Sequence, residues 1–303
     1  MFQKQVMMRR VLIALIPIYL FSIYLYGWRL LLLGVLVFAV GIGIEYLFEK
    51  SRKKKVSEAV LVTCSLYLLG LPAQTPWWIA IIGIAFAVFI AKEIYGGFGR
   101  NIFNPAISGR LFVYITFPNQ LQGGYLESGS FGIGADVLTA ATPLGMLRHG
   151  EPIDYLMVFL GFRPGSMGES SIVLILIAAI YLIATKTANW RQILTTLVSA
   201  AALTLVLHLF GVEKALPPVS LIAGSLFFVA VFYSTDPVSA PKQKASLWLY
   251  GIIIGSTTVL VRTFSLFPEG TSFGILLANT FASLLDNLVL KSKARGTEEK
   301  KAT

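Results

Sequence analysis

Long apolar runs separated by short polar, glycine- or proline-bearing breaks set the pattern of this chain. They predict ten helices, near 11–28, 30–48, 57–71, 77–95 and 103–117, then near 171–186, 191–211, 217–233, 245–264 and 272–290. Most approach the roughly 20 residues that an α-helix needs to cross a bilayer. The third and fifth are short for that task and are expected to be broken or re-entrant. Between the two sets lies a long stretch, 118–170, rich in glycine. Loops beyond about 12–15 residues in a compact protein are usually functional. The pattern therefore predicts one all-α integral membrane domain of about ten transmembrane helices. Residues 11–117 form its first half, 118–170 a connecting loop, 171–290 the second half and 291–303 a tail.

Composition supports the same class. Of 303 residues, 56% are apolar and 13% charged, with a mean hydropathy of +0.75. An ordinary soluble domain carries about 25% charged and 45–50% apolar residues. This excludes a water-solvated globule, a disordered chain and a disulfide scaffold. Cys64, the single cysteine, lies in an apolar run and reads as a buried helix residue. One thiolate cannot hold an iron–sulfur cluster by itself. His149 and His208 are too few and too scattered for multi-histidine metal chemistry, and no metal site is expected.

The net charge of +10 would suggest nucleic acid in a soluble protein. Here the basic residues occupy short runs between apolar segments, such as Arg52-Lys53-Lys54-Lys55, which is the positive-inside pattern of membrane helices. With the N-terminus inside, nineteen Lys and Arg fall in inside segments and five outside. Both termini are thus expected in the cytoplasm, with 118–170 outside and no nucleic-acid partner. The first run is too long for a signal peptide and no small-residue cleavage site follows, so it reads as a retained helix. Five spans plus five is the count expected of an inverted repeat. Pro72 and Pro76 after the third span, and Pro237 and Pro241 after the eighth, share the same spacing.

The long loop holds Asp136-Val-Leu-Thr139-Ala140-Ala141-Thr142-Pro143. Read from the residues, Thr139 or Thr142 caps a helix N-terminus. The small residues also leave Thr142 open to a large group, and the acid could hold a divalent cation beside a phosphate. This segment resembles the flavinylation motif Asp-x-x-(Ser/Thr)-(Gly/Ala/Ser)-Ala-Thr, in which a flavin transferase joins FMN by a phosphoester to the last threonine. Further stretches resemble one family in the same order along the chain. They are Gly96-Gly-Phe-Gly-Arg-Asn101-Ile-Phe-Asn104-Pro105-Ala106, Gly165-Ser-Met-Gly168-Glu169-Ser170 and Ser234-Thr235-Asp236-Pro237-Val-Ser. The family is the RnfD/NqrB family of membrane flavoproteins, shared by the Rnf complex and the sodium-pumping NADH:quinone reductase.

The resemblance implies FMN on Thr142, with Asp136, Thr139 and Ala141 completing the motif. It also implies a second, non-covalent flavin, riboflavin, toward the inside face. Gly97, Arg100, Asn101, Asn104, Arg110 and Asp236 are the candidate residues for that site or its surroundings. It further implies partners: a second flavinylated subunit, and iron–sulfur and NAD-binding subunits. The overall exchange would run between ferredoxin and NAD, coupled to Na⁺ or H⁺, in a prokaryotic cell membrane. The short segment before the first span favours the Rnf branch, with the quinone-reductase branch as the alternative. A non-redox transporter or channel is the alternative of another class.

Plainer readings stand beside these. Asn104 can cap a helix with Pro105 at its first turn, and Asp236-Pro237 can open a turn. Gly96, Gly97 and Gly99 would let backbone approach a flat ring. Glu45, Glu93 and Asp286 near span ends are expected to face headgroups or pair with Lys50, Lys92 or Lys291. Arg110 falls inside a span, where a charge is costly, so it should face protein or a cofactor. Trp28, Trp77, Trp78 and Trp190 sit at expected interfaces.

Overall fold

The computed structural model describes residues 2–122, 125, 142–149, 151–265, 267 and 270–302. The helices are α1 (Val6–Tyr26), α2 (Trp28–Ser51), α3 (Ala59–Leu69), α4 (Trp77–Ala85), α5 (Pro105–Thr116), α6 (Pro118–Gln122), α7 (Pro143–His149) and α8 (Tyr155–Leu160). Then follow α9 (Ile172–Ala184), α10 (Trp190–Leu209), α11 (Pro217–Ile222), α12 (Leu226–Phe228), α13 (Lys244–Phe264) and α14 (Thr271–Ala302). Two of them continue as π-helix, α4 over Phe86–Glu93 and α12 over Val229–Tyr233. A two-residue parallel pairing joins β1 (Phe2–Gln3) to β2 (Val56–Ser57).

Among the described residues, five helices are long and apolar enough to cross a membrane: α1, α2, α10, α13 and the Thr271–Ala294 part of α14. The architecture is that of a multi-pass helical membrane protein. The third and fifth expected spans are indeed short, 11 and 12 residues. The stretch expected as one span at 217–233 is interrupted at Ala223–Ser225, between α11 and α12. The last helix does not stop near 290 but runs on to Ala302.

Packing repeats between the halves. In the first, α2 packs on α3 and α4, and α4 with its π extension on α5; in the second, α10 packs on α11 and α13, and α13 on α14. Small residues set the closest approaches, as in other membrane bundles. A Cβ on Gly251 would stand 2.7 Å from Thr195 Cβ, and one on Gly255 would run into the Thr196 carbonyl. The halves meet where α1 packs on α9 and α5 on α14.

The segment expected as an outer loop to 170 ends differently. From Arg163 to Ser171 the chain folds into the protein, and Arg163, Ser166, Met167, Glu169, Ser170 and Ser171 are buried. Its backbone is clamped by the end of α3: Met167 N–H donates to Leu71 O (3.0 Å) and Gly168 N–H to Leu69 O (2.7 Å). From α1, Ser22 Oγ donates to Met167 O (2.6 Å). Gly168 is required there because a Cβ would lie 2.6 Å from Leu69 Cβ. This placement brings Glu169 Oε1 within 2.7 Å of Arg110 Nη2 on α5, at 3% and 1% side-chain exposure. Arg110 therefore faces protein, and its counter-charge comes from this same chain. The guanidinium also lies over the Tyr114 ring (5.4 Å).

Breaking one half of such a pair leaves a buried charge alone, at a cost of about 3–5 kcal/mol, whereas replacing both partners by apolar groups is often tolerated. Glu169→Leu alone should therefore strongly lower the melting temperature in detergent. Arg110→Met combined with Glu169→Leu should recover much of that loss.

Candidate functional site

At the end of the bundle where α1, α3 and α5 begin, the helices leave a narrow cleft with about 60 Å³ of water-accessible space. Met7, Met8, Val62, Leu66 and Phe232 supply apolar wall, while Thr63, Lys92, Asn101, Asn104 and Asp236 supply polar groups.

The polar groups are held by their own segments. Asn104 caps α5: its Oδ1 accepts from Ile107 N–H (3.3 Å), with Pro105 at the first position. Its Nδ2 donates to Asp236 Oδ2 (3.3 Å), and its backbone N–H donates to Asn279 Oδ1 on α14 (3.0 Å). Asp236 closes the turn after α12 by accepting from Val238 N–H (3.1 Å) and Ser239 Oγ (2.7 Å). Burial pushes its carboxyl above the ordinary aspartate range. Asn101 Nδ2 donates to Phe103 O (3.0 Å). The capping and turn readings of Asn104 and Asp236 thus hold geometrically, and the same bonds aim both residues into one cavity.

Gly97, Arg100 and Arg110 do not line it. Gly96, Gly97 and Gly99 have positive φ angles (108°, 87° and 84°), and at Gly97 the turn passes close to α2. A Cβ on Gly97 would strike Glu49 Oε1 and stand 3.1 Å from Arg52 Nη1. Arg110 lies deeper, with Glu169. Of the acids near span ends, Glu45 takes Lys92 (2.5 Å), Glu93 takes Arg52 (2.5 Å), and Asp286 accepts the N–H groups of Lys242 (2.8 Å) and Gln243 (3.0 Å). Sequence reading missed Met8, Phe232 and Lys92 as cavity residues. The first two are apolar residues in apolar helices, and nothing in their neighbours distinguishes them from lipid-facing ones.

Thr142 lies at the opposite end of the bundle. It is half-buried at the start of α7, where its Oγ1 accepts from Gly145 N–H (3.2 Å). Two contacts hold α7 down. Leu144 packs over Gly224, in the break between α11 and α12. Arg148 Nη2 donates to the carbonyls of Arg262, Ser265 (3.0 Å) and Phe267 (3.3 Å), at the end of α13. Asp136, Thr139 and Ala141 lie outside the described residues.

These features define a multi-pass helical membrane protein with a partly polar cleft at one end and a docked, hydroxyl-bearing turn at the other. A family model described as the NQR2, RnfD, RnfE family matches residues 2–295, and the chain belongs to that family. It is 39% identical to the NqrB subunit of the Na⁺-translocating NADH-quinone reductase of Chromohalobacter salexigens, over 86% of this chain and 65% of that protein. It is 36% identical to the corresponding subunit from Pseudoalteromonas atlantica, over 90% of this chain and 70% of the relative. The match to that of Klebsiella pneumoniae is 36%, over 86% of this chain and 66% of the relative. The chain thus spans about two thirds of the length of these relatives.

A carboxyl whose pKa is raised by folding keeps its proton in the native state after the unfolded chain has released it. Stability then declines as pH rises from the ordinary aspartate value (about 4) through the raised one. Melting temperature against pH should show that decline in the wild type. Asp236→Asn should flatten it.

Proposed function

We propose that this chain is a flavin-carrying membrane subunit of an ion-translocating, NADH-linked oxidoreductase complex. Thr142 carries FMN through a phosphoester, and the cleft at the other end binds a second flavin, riboflavin, without a covalent bond. The observation that supports this best is the meeting of Asn101, Asn104 and Asp236 in one partly polar cleft. They come from segments 132 residues apart in the chain.

The chemistry of the residues suits the groups, although the cleft as it stands is too narrow to enclose a flavin ring. A flavin ring has an apolar body and an edge of carbonyl and N–H groups; Met7, Met8 and Phe232 offer apolar wall and the two asparagines offer amides. Thr142 is partly exposed, and its oxygen is the type of atom that forms a phosphate ester. The flavins would supply the redox chemistry, while the protein supplies position, electrostatics and exclusion of water. Asp136, Thr139 and Ala141 would complete the flavinylation motif for the transferase.

The charge distribution supports a cytoplasmic cleft and both termini in the cytoplasm, with Thr142 outside, in the cell membrane of a prokaryote. The names of the relatives favour the NADH:quinone branch over the ferredoxin:NAD branch that a short leading segment suggested. Iron–sulfur and nucleotide sites then belong to partner subunits, along with a second flavinylated subunit, and Na⁺ is the coupling ion of first choice.

Denaturing-gel fluorescence with peptide mass spectrometry tests the covalent site. The expected result is FMN on the peptide containing Thr142 and none in Thr142→Ala. A non-fluorescent wild type, made with the transferase, would remove the claim and leave a non-redox transporter. For the cleft, Asn101→Ala should weaken riboflavin binding to stripped protein by about tenfold, as expected for one lost hydrogen bond.

A further inference from the structure

Beside the narrow cleft, and sharing Thr187, Thr235 and Asp236 with its wall, a second hollow opens at the same end of the bundle. It holds about 390 Å³ of water-accessible space. The turn between α9 and α10 forms one side, and the loop from Asp236 to Lys242 that leads into α13 forms the other. Lys186 and Arg191 line it from the first side and Lys242 from the second. None of these three cations forms an ion pair among the described residues. Asp236 is the one carboxylate among the described lining residues, and it already accepts from Asn104 Nδ2, Val238 N–H and Ser239 Oγ. Asp286, nearby, is engaged by the backbone N–H groups of Lys242 and Gln243. The hollow is therefore a concavity of unpaired positive charge.

Two further observations say what it is built to hold. Gln192 lines the hollow and is only 3% exposed, yet its side-chain amide has no hydrogen-bond partner among the described residues. A buried amide left in that state is costly unless a ligand or water completes it. Gln192 stands in the first turn of α10, where free backbone N–H groups and the helix dipole favour an anion; Asn189 caps only the N–H of Arg191 (3.1 Å). The second observation is depth. α10 and α13 are two of the membrane-length helices and both begin here. Trp190 and Trp248, at their starts, are exposed and meet edge to face at 5.7 Å, and the Arg191 guanidinium lies over the Trp190 ring (5.0 Å). Exposed tryptophans at the ends of spanning helices mark the membrane–water interface. Further along the same two helices Leu194, Val198, Leu249 and Ile252 present exposed apolar surface. The hollow thus sits at headgroup level, with an apolar face running away from it into the bilayer.

We propose that this hollow binds the headgroup of an anionic phospholipid. Its phosphate is taken between Lys186, Arg191 and Lys242, the Gln192 amide donates to it, and the acyl chains lie on the exposed faces of α10 and α13. Phosphate is the chemistry that the cations and the helix N-terminus recognise. The tryptophans and the adjoining apolar face select a lipid over a free ion. Basic pockets between transmembrane helices are recurrent headgroup sites. The proposal is independent of both flavins.

The test uses the full chain in detergent, stripped of lipid and titrated with phosphatidylglycerol, phosphatidylcholine or inorganic phosphate. Native mass spectrometry counts bound lipid, and the melting temperature is followed in parallel. Phosphatidylglycerol should be retained and should raise the melting temperature at severalfold lower concentration than phosphatidylcholine, with no effect of inorganic phosphate over the same range. Lys186→Gln, Arg191→Gln and Lys242→Gln should each weaken phosphatidylglycerol binding about fivefold, as expected for one basic group at an anionic surface. Lys53→Gln with Lys291→Gln, exposed charges at the same end but outside the hollow, should leave it unchanged. Gln192→Leu should weaken binding severalfold and leave the lipid-free melting temperature as it is, because its amide has no protein partner to lose. Equal retention of the two lipids, or wild-type affinity in the triple glutamine variant, overturns the proposal. Stabilisation by inorganic phosphate equal to that by phosphatidylglycerol makes this a soluble-anion site and overturns the lipid. Loss of partner subunits from the assembled complex in the triple variant, with phosphatidylglycerol binding unchanged, overturns it in favour of an acidic protein segment.

Discussion

A buried arginine, Arg110, is the constraint around which the rest of the molecule is arranged. A guanidinium cannot shed its charge, and an unpaired one inside a membrane protein is costly. Its carboxylate partner, Glu169, reaches it because residues 163–171 leave the surface and fold inward. That intrusion is possible only because α3 ends early at Leu69, exposing the Leu69 and Leu71 carbonyls as acceptors. It also needs a glycine at 168, where backbone meets side chain. Arg163 anchors the same segment through the carbonyls of Ile222, Glu169 (2.5 Å) and Gly224 (3.3 Å). The break between α11 and α12 is thus held by the stretch that neutralises Arg110.

This arrangement links both candidate sites to one core. The turn after Thr142 docks on the break through Leu144 and Arg148. The cleft at the other end is walled by the π-helical continuation of α12, whose Tyr233 hydroxyl donates to Leu66 O of α3 (2.7 Å). π-helical turns are uncommon and frequent at functional positions. Here one brings Phe232 to the cleft, and the other, in α4, places Lys92 and Glu93 side by side against separate partners on α2 and its end.

Much of this was legible in the chain. The apolar runs located most of the longer helices to within a few residues, because a helix in lipid must satisfy its own backbone and stay apolar over a fixed length. The shortness of 57–71 and 103–117 correctly flagged two helices that do not reach across. Arg110 was legible as protein-facing, since its charge has no low-energy alternative. Asn104-Pro105 was legible as a cap from local chemistry alone. The interruption at Ala223–Ser225 was not, because Gly224 within an apolar run looks like any small residue of a membrane helix. That Gly97 and Arg100 do not line this cleft was not legible either: a positive-φ glycine permits close approach, but not necessarily to a ligand, and the neighbour of Gly97 is α2.

By itself, then, the sequence determined the class of protein, its helical spans, its charge asymmetry and the local caps and turns, since each depends on neighbours within a few residues. Only the tertiary structure decided which carboxylate meets Arg110, that Asn104 and Asp236 face one cleft, and that Leu144 packs over the break at Gly224. These depend on residues tens to more than a hundred positions apart. In a chain this uniformly apolar, no local pattern records which face of a helix meets protein and which meets lipid.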